Sequence, residues 1–240
     1  MSGNTTSPHT SDGSGLLQQS SHALTPNRVL EELVHARRYV STDRSLLVAL
    51  SGIDACGKGY LAKNWQEQLI DHGFRVALIG IDGWLNLPSK RFGGKDPARH
   101  FYEHAFRFDE MFSRLVFPLR ERRSIQLEAD FTEETDQEYR RQVYEFHDID
   151  VILLEGIFLL KRQFQSYYDA SIWVECTMET ALERALQRSQ EGLLPADTIR
   201  AYQSIYFPAQ KIHISEDDPV HSATGIVIND PRMANAMRGS

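Results

Sequence analysis

Cysteine is scarce. The 240 residues hold two, Cys56 and Cys176, which are too few for a disulfide framework and lack the spacing of a thiolate metal site. Such usage fits a reducing cytosol. Long apolar runs are missing as well. The best candidate, "ILLEGIFLL", falls short of the roughly 18 residues a membrane helix needs and carries Glu155. The chain does not open on a basic stretch followed by an apolar core, so no secretory signal is expected. Positive charge is in deficit, with 26 Lys and Arg against 33 Asp and Glu and a formal net charge of -7. That balance argues against general binding to nucleic acid or an anionic membrane. The histidines, among them His100, His104, His147, His213 and His221, have no metal-ligand spacing. A hydrophobic fraction of 41% nonetheless supports one sizeable core. These features describe a cytoplasmic protein that handles small molecules; they leave a homo-oligomer open.

Residues 1–24 are rich in Ser, Thr, Gly and His without apolar periodicity, and are expected to form a disordered leader. Residues 25–240 are expected to form a single domain. Thr25 followed by Pro26 suits a helix start, and Leu30, Leu33 and Val34 give that helix an apolar face. Beyond it, "SLLVALSG", "FRVALIGID", "IDVILLEG", "ASIWVEC" and "TGIVIND" read as strands, several apolar at successive positions as in sheets covered on both faces. Between the first two, Leu61, Ala62, Trp65 and Leu69 line one side of a helix that Gly73 ends. Alternating strands and helices predict an α/β fold with a mainly parallel sheet. Ligands of such sheets gather at the carboxyl ends of the strands, where Gly52, Asp82 and Glu155 stand.

"SGIDACGKGY" places Gly52, Gly57 and Lys58 as in a phosphate-binding P-loop, between a strand and an amphipathic helix. The segment Gly52, Ile53, Asp54, Ala55, Cys56, Gly57, Lys58, Gly59 and Tyr60 would wrap a nucleotide phosphate with backbone N–H groups, and Lys58 would reach the terminal phosphates. Gly59 departs from the pattern, because the usual Ser or Thr there gives Mg²⁺ a hydroxyl. Mg²⁺ keeps several waters and needs only one or two carboxylates beside the phosphates, so another water can take the place. Asp82 and Glu155, each directly after an apolar strand, could orient an acceptor hydroxyl and place Mg²⁺.

The set "GIDACGKG", "IGIDGW", "VILLEGIF" and "SIWVECTMETALERALQR" resembles the uridine kinase, phosphoribulokinase and pantothenate kinase group of P-loop kinases, with uridine kinases nearest in layout. The resemblance runs from about residue 45 to the final strand. It implies a three-layer P-loop fold with a helical lid over about residues 183–207, and ATP and Mg²⁺ as co-substrate and metal. It makes Asp82 the base that also meets the magnesium shell and Glu155 a metal ligand. Arg184 and Arg188 become lid arginines that close over the phosphates; the helical period puts them on the side away from the core, opposite Met178, Ala181, Leu182, Ala185 and Leu186. Asp96, in Asp96-Pro97, resembles the aspartate that grips ribose hydroxyls. The acceptor region departs from the uridine pattern: Ala129 stands where a Tyr is usual, and no His follows Phe131 at the expected distance. The implied activity is phosphoryl transfer to an alcohol, a nucleoside first. A sugar phosphate or pantothenate-like acceptor, or a nucleotide-binding regulator impaired by Gly59, stays open. Trp84, Arg91 and Tyr102 are residues that could line another pocket or simply pack.

Overall fold

The computed structural model describes residues 23–188 and 193–233. Most of the expected leader, residues 1–22, and part of the expected lid, residues 189–192, lie outside the described residues. Leu24, assigned to the leader from sequence, instead pairs in parallel with Val227, its N–H donating to Ile226 O at 2.7 Å.

Thr25 caps helix α1 (Pro26–Tyr39) by accepting the Arg28 N–H, and Val29, Leu30, Leu33 and Val34 are buried. Strand β1 (Leu46–Gly52), helix α2 (Lys58–Asp71) and strand β2 (Val76–Gly80) follow. Four short helices come next: α3 (Pro88–Arg91), α4 (Pro97–His104), α5 (Phe108–Met111) and α6 (Phe117–Arg122). Strands β3 (Ile125–Phe131) and β4 (Arg140–Phe146) form an antiparallel hairpin apart from the main sheet. Then come β5 (Val151–Glu155), β6 (Ala170–Glu175) and α7 (Met178–Arg188). The described chain closes with α8 (Pro195–Ala201), α9 (Phe207–Asp217), α10 (Pro219–Ser222) and β7 (Gly225–Ile228).

The main sheet runs β2-β5-β1-β6-β7, and every pairing in it is parallel. All of β1 is buried, as expected for a central strand covered on both faces. Register then decides what meets at the carboxyl edge. Leu50 and Gly80 both sit opposite Glu155, and Gly52 sits opposite Val174. Crossing from β5 to either neighbour therefore passes directly between the residues singled out from sequence.

Two helical stretches widen into a π turn, Phe112–Val116 and Tyr202–Tyr206. Each is followed by an X-Pro step, Phe117-Pro118 and Phe207-Pro208. Proline has no N–H and its ring crowds the carbonyl four residues back, so a wider turn relieves both defects without ending the helix.

Behind the sheet edge lies a buried polar cluster. Asp217 accepts from Tyr102 Oη at 2.6 Å and from the Arg162 N–H at 2.8 Å, and its Oδ2 is 2.7 Å from His213 Nδ1. Tyr102 is thus a packing residue. Lys161 Nζ donates to Tyr102 O at 2.6 Å and lies 3.9 Å from the Tyr102 ring centroid. Burial disfavours its charge, and the nearby Asp217, Glu103 and Glu216 only partly offset this, so its pKa falls to about 8. The unfolded chain holds that proton to about pH 10.4. Between the two values the unfolded state binds more protons, and stability rises with pH. Relative to Lys161→Met, the wild type should gain about 2 kcal/mol from pH 8 to pH 10. Urea melts of both proteins at the two pH values check this; a constant difference between them would refute it.

Candidate active site

The loop between β1 and α2 is shaped by its glycines. Gly57, at φ 95°, occupies the left-handed region just before α2, where a Cβ is disfavoured. At Gly52 a Cβ would stand 2.5 Å from Val174 O and 2.8 Å from Cys56 Sγ. Since a strand carbonyl cannot step aside, Gly52→Ala should destabilise the fold by about 1–3 kcal/mol, readable in a urea melt. Lys58, the first residue of α2, is buried, and its Nζ donates to Ile53 O at 2.8 Å across the loop. An ammonium has three donors; with a second facing Cys56 Sγ at 3.7 Å, one remains for a phosphate oxygen. Burial alone would lower the Lys58 pKa. The neighbouring Cys56, Glu155, Asp54 and Asp82 more than offset this, and the group is held above its usual value. Burial pushes the Cys56 thiol up, which makes it a poor nucleophile.

Asp82 belongs to a 3₁₀ turn, Ile81–Trp84, directly after β2, and Glu155 ends β5. Both line a cavity of about 440 Å³ together with Asp54, Lys58, Arg184 and Arg188. Asp82 is exposed, yet it stands in the recess formed by these residues, where surrounding protein still screens it from bulk solvent. Burial raises its pKa first and the charge of Asp54 adds to that, while Lys58, Arg188 and Arg91 pull it back. Glu155 is likewise raised by burial; Lys58 lowers it, and Asp82 raises it again. Two carboxylates that resist ionising side by side, beside a phosphate loop, form a donor set that a divalent cation would relieve. Among the described residues no group of three or more His, Cys, Asp or Glu could hold a metal by itself. Any cation here would therefore draw other ligands from phosphate and water.

The arginines of α7 differ from expectation. Arg184 does not point away from the core: its Nη1 donates to Cys56 O at 3.1 Å and approaches Cys176 Sγ at 3.7 Å. Asn229 Nδ2 reaches the same Cys56 carbonyl at 2.8 Å, so the loop is clamped from outside by α7 and the end of β7. Glu183 pairs with Arg232 at 2.5 Å. Arg188 faces Asp54 Oδ1 at 3.6 Å, a long ion pair of little intrinsic strength and hence one a phosphate could replace.

Three contributors to the site have only a faint sequence signal. Tyr202, in the second π turn, donates its hydroxyl to Asp54 Oδ2, and Gln210 Oε1 accepts the Asp54 N–H at 3.1 Å. Both stand in "AYQSIYFPAQK", where packing is the expectation for Tyr202, Tyr206, Phe207 and Pro208. Arg91 is only 3% exposed; it donates to Glu134 O at the hairpin tip and lines the cavity. Asp96 is not brought to the cavity. It caps α4, accepting the Arg99 N–H at 3.0 Å, and is exposed. Trp84 is buried and stacked on Tyr144 at 5.7 Å. Tyr60, in the first turn of α2, is 77% exposed at the cavity rim.

No family model matches the chain. Its fold is found in solved structures. It is similar to a possible uridine kinase from Bacillus stearothermophilus (TM-score 0.67, 18% identity, 84% of this chain and 98% of that one). It is similar to D-glycerate 3-kinase from Cryptococcus neoformans (TM-score 0.58, 13% identity, 85% and 95%). It also resembles phosphoribulokinase from Rhodobacter spheroides (TM-score 0.53, 10% identity, 76% and 69%). The chain has the fold of these P-loop kinases, a mainly parallel sheet flanked by helices.

Proposed function

We propose that the protein is an ATP-dependent kinase that transfers the γ-phosphoryl group to the hydroxyl of a small molecule. One observation carries this reading: the glycine-containing loop and its lysine open into the same cavity as two strand-end carboxylates and three arginines. Backbone N–H groups of residues 52–60 and Lys58 would hold the β- and γ-phosphates. Asp82 would take the acceptor proton. Arg188, released from Asp54, would meet charge on the transferring group, while Arg184 would keep the loop in shape. Asp82 and Glu155 would hold Mg²⁺, which neutralises phosphate charge when bound.

A nucleoside acceptor has the likeness to a possible uridine kinase in its favour. Against it stand Asp96, which caps α4 away from the cavity, and Ala129, fully buried where the uridine pattern has a Tyr. No described helix is long and apolar enough to cross a membrane. Both cysteines are free and buried, which fits our assignment to the reducing cytoplasm. The test is Mg²⁺-dependent ADP release across nucleosides, pantothenate, sugar phosphates and simple alcohols, with Lys58→Ala as control. Turnover on none of them, alongside tight ATP binding, would favour a nucleotide-binding regulator instead.

The missing hydroxyl at Gly59 gives a sharper test. A Cβ there meets nothing within 4 Å, so Gly59→Ser adds the hydroxyl without displacing a neighbour. The Mg²⁺ concentration for half-maximal turnover should fall several-fold. An unchanged midpoint would mean that water already fills the vacant ligand position.

A further inference from the structure

A second chamber of about 400 Å³ adjoins the first, and the two share Arg91, Glu134 and Tyr206. It lies between the hairpin tip and the helix that runs through α8 and the π turn, with Phe92, Ala201 and Ile205 in its wall. The acceptor side of the first cavity is also apolar, through Leu85, Phe101 and Phe106. The two walls are continuous: the Phe101 ring stacks on Phe92 at 5.8 Å and packs on Tyr206 at 5.1 Å. At the joint Arg91 is held by Glu134 O, and Thr135 and Gln137 of the hairpin tip add polar groups to one side of the chamber.

We propose that the acceptor is an alcohol with an apolar body, its hydroxyl at Asp82 and its body passing Arg91 into this second chamber. This rests on the kinase reading above. A molecule with its hydroxyl at Asp82 and the phosphate loop to one side has the joint as its route outward. A sugar or base placed there would set several polar atoms against aromatic and aliphatic walls, losing water without regaining partners. A methylene chain or ring would gain at each step. Arg91, buried beside Asp82 and over the Phe92 ring at 5.2 Å, offers a flat cationic face compatible with either an aromatic or an aliphatic body.

The test is calorimetric binding of unbranched 1,2-alkanediols, from four to ten carbons, to the full chain with Mg²⁺ and ADP. ATP binding by wild type and Lys58→Ala is measured alongside. The dissociation constant should fall up to about fourfold per methylene and then level off once the chamber is full. Ala201→Trp, which fills the chamber from α8, should bring the plateau to shorter chains. Ile205→Asn should flatten the slope, provided each variant melts as cooperatively as wild type. A constant independent of chain length would overturn the proposal, as would a slope that both variants leave unchanged or tighter binding of uridine than of every diol. If ATP binds through Lys58 and the diols show no trend, the proposal alone falls. If ATP does not bind, the kinase reading falls and the proposal with it.

Discussion

Asp82→Asn is expected to lower turnover by about two to four orders of magnitude while leaving ATP affinity within a few-fold of wild type. Asparagine keeps the shape and the polar contacts but cannot accept the acceptor proton. The same change should raise the melting temperature of the nucleotide-free protein at neutral pH. Burial, then the charge of Asp54, lift the Asp82 pKa above its usual value despite Lys58, Arg188 and Arg91. A group raised in this way binds its proton more tightly in the folded state, so stability is lost as pH rises through the folded pKa. Above it, ionised Asp82 is a cost that the variant removes. Activity has the opposite dependence, because the base must be ionised. In wild type, kcat/KM should therefore fall on acidification as Asp82 takes up its proton. Thermal melts and a pH–rate profile read both effects, and a variant that keeps its turnover would end the assigned role.

Lys58→Ala should abolish most ATP binding and cut turnover by about 10²–10³-fold. Among the described residues Lys58 is the only Lys lining the cavity, and it stands among Asp54, Asp82 and Glu155. Its charge lowers the pKa of both Asp82 and Glu155, so its loss leaves both carboxyls protonated to higher pH. Two signatures should appear together: weak nucleotide binding by calorimetry, and an acid limb of any residual activity displaced to higher pH. Loss of binding with an unmoved limb would mean that Lys58 serves the nucleotide but does not tune the carboxylates. Full binding would remove the loop from the mechanism.

Much of this site was legible in one dimension, for identifiable reasons. Gly52, Gly57 and Lys58 have a spacing dictated by backbone wrapped around a phosphate, which is local geometry. Asp82 and Glu155 follow apolar runs too short for anything but strands, and parallel strands put their carboxyl ends on one edge. The register of Gly80 and Leu50 opposite Glu155 turned that into proximity. Helix α2 carries Leu61, Ala62, Trp65 and Leu69 on its buried face, as its period requires.

What escaped was set by contacts between distant segments. The period of α7 put Arg184 opposite the core, but the Cys56 carbonyl stands within its reach, 128 residues back along the chain. Tyr202 reads as packing and Gln210 draws no reading, because nothing in "AYQSIYFPAQK" reveals that both reach Asp54. Asp96-Pro97 resembles a substrate grip, and in the structure Asp96 caps α4, a role the same dipeptide fills equally well. Strand ends, loop glycines and helix faces obey rules spanning only a few residues, so the sequence alone determined them. Which cation clamps the loop, which aspartate faces the cleft and how apolar the acceptor's surroundings are depend on packing across the whole chain, and only the tertiary structure decided those.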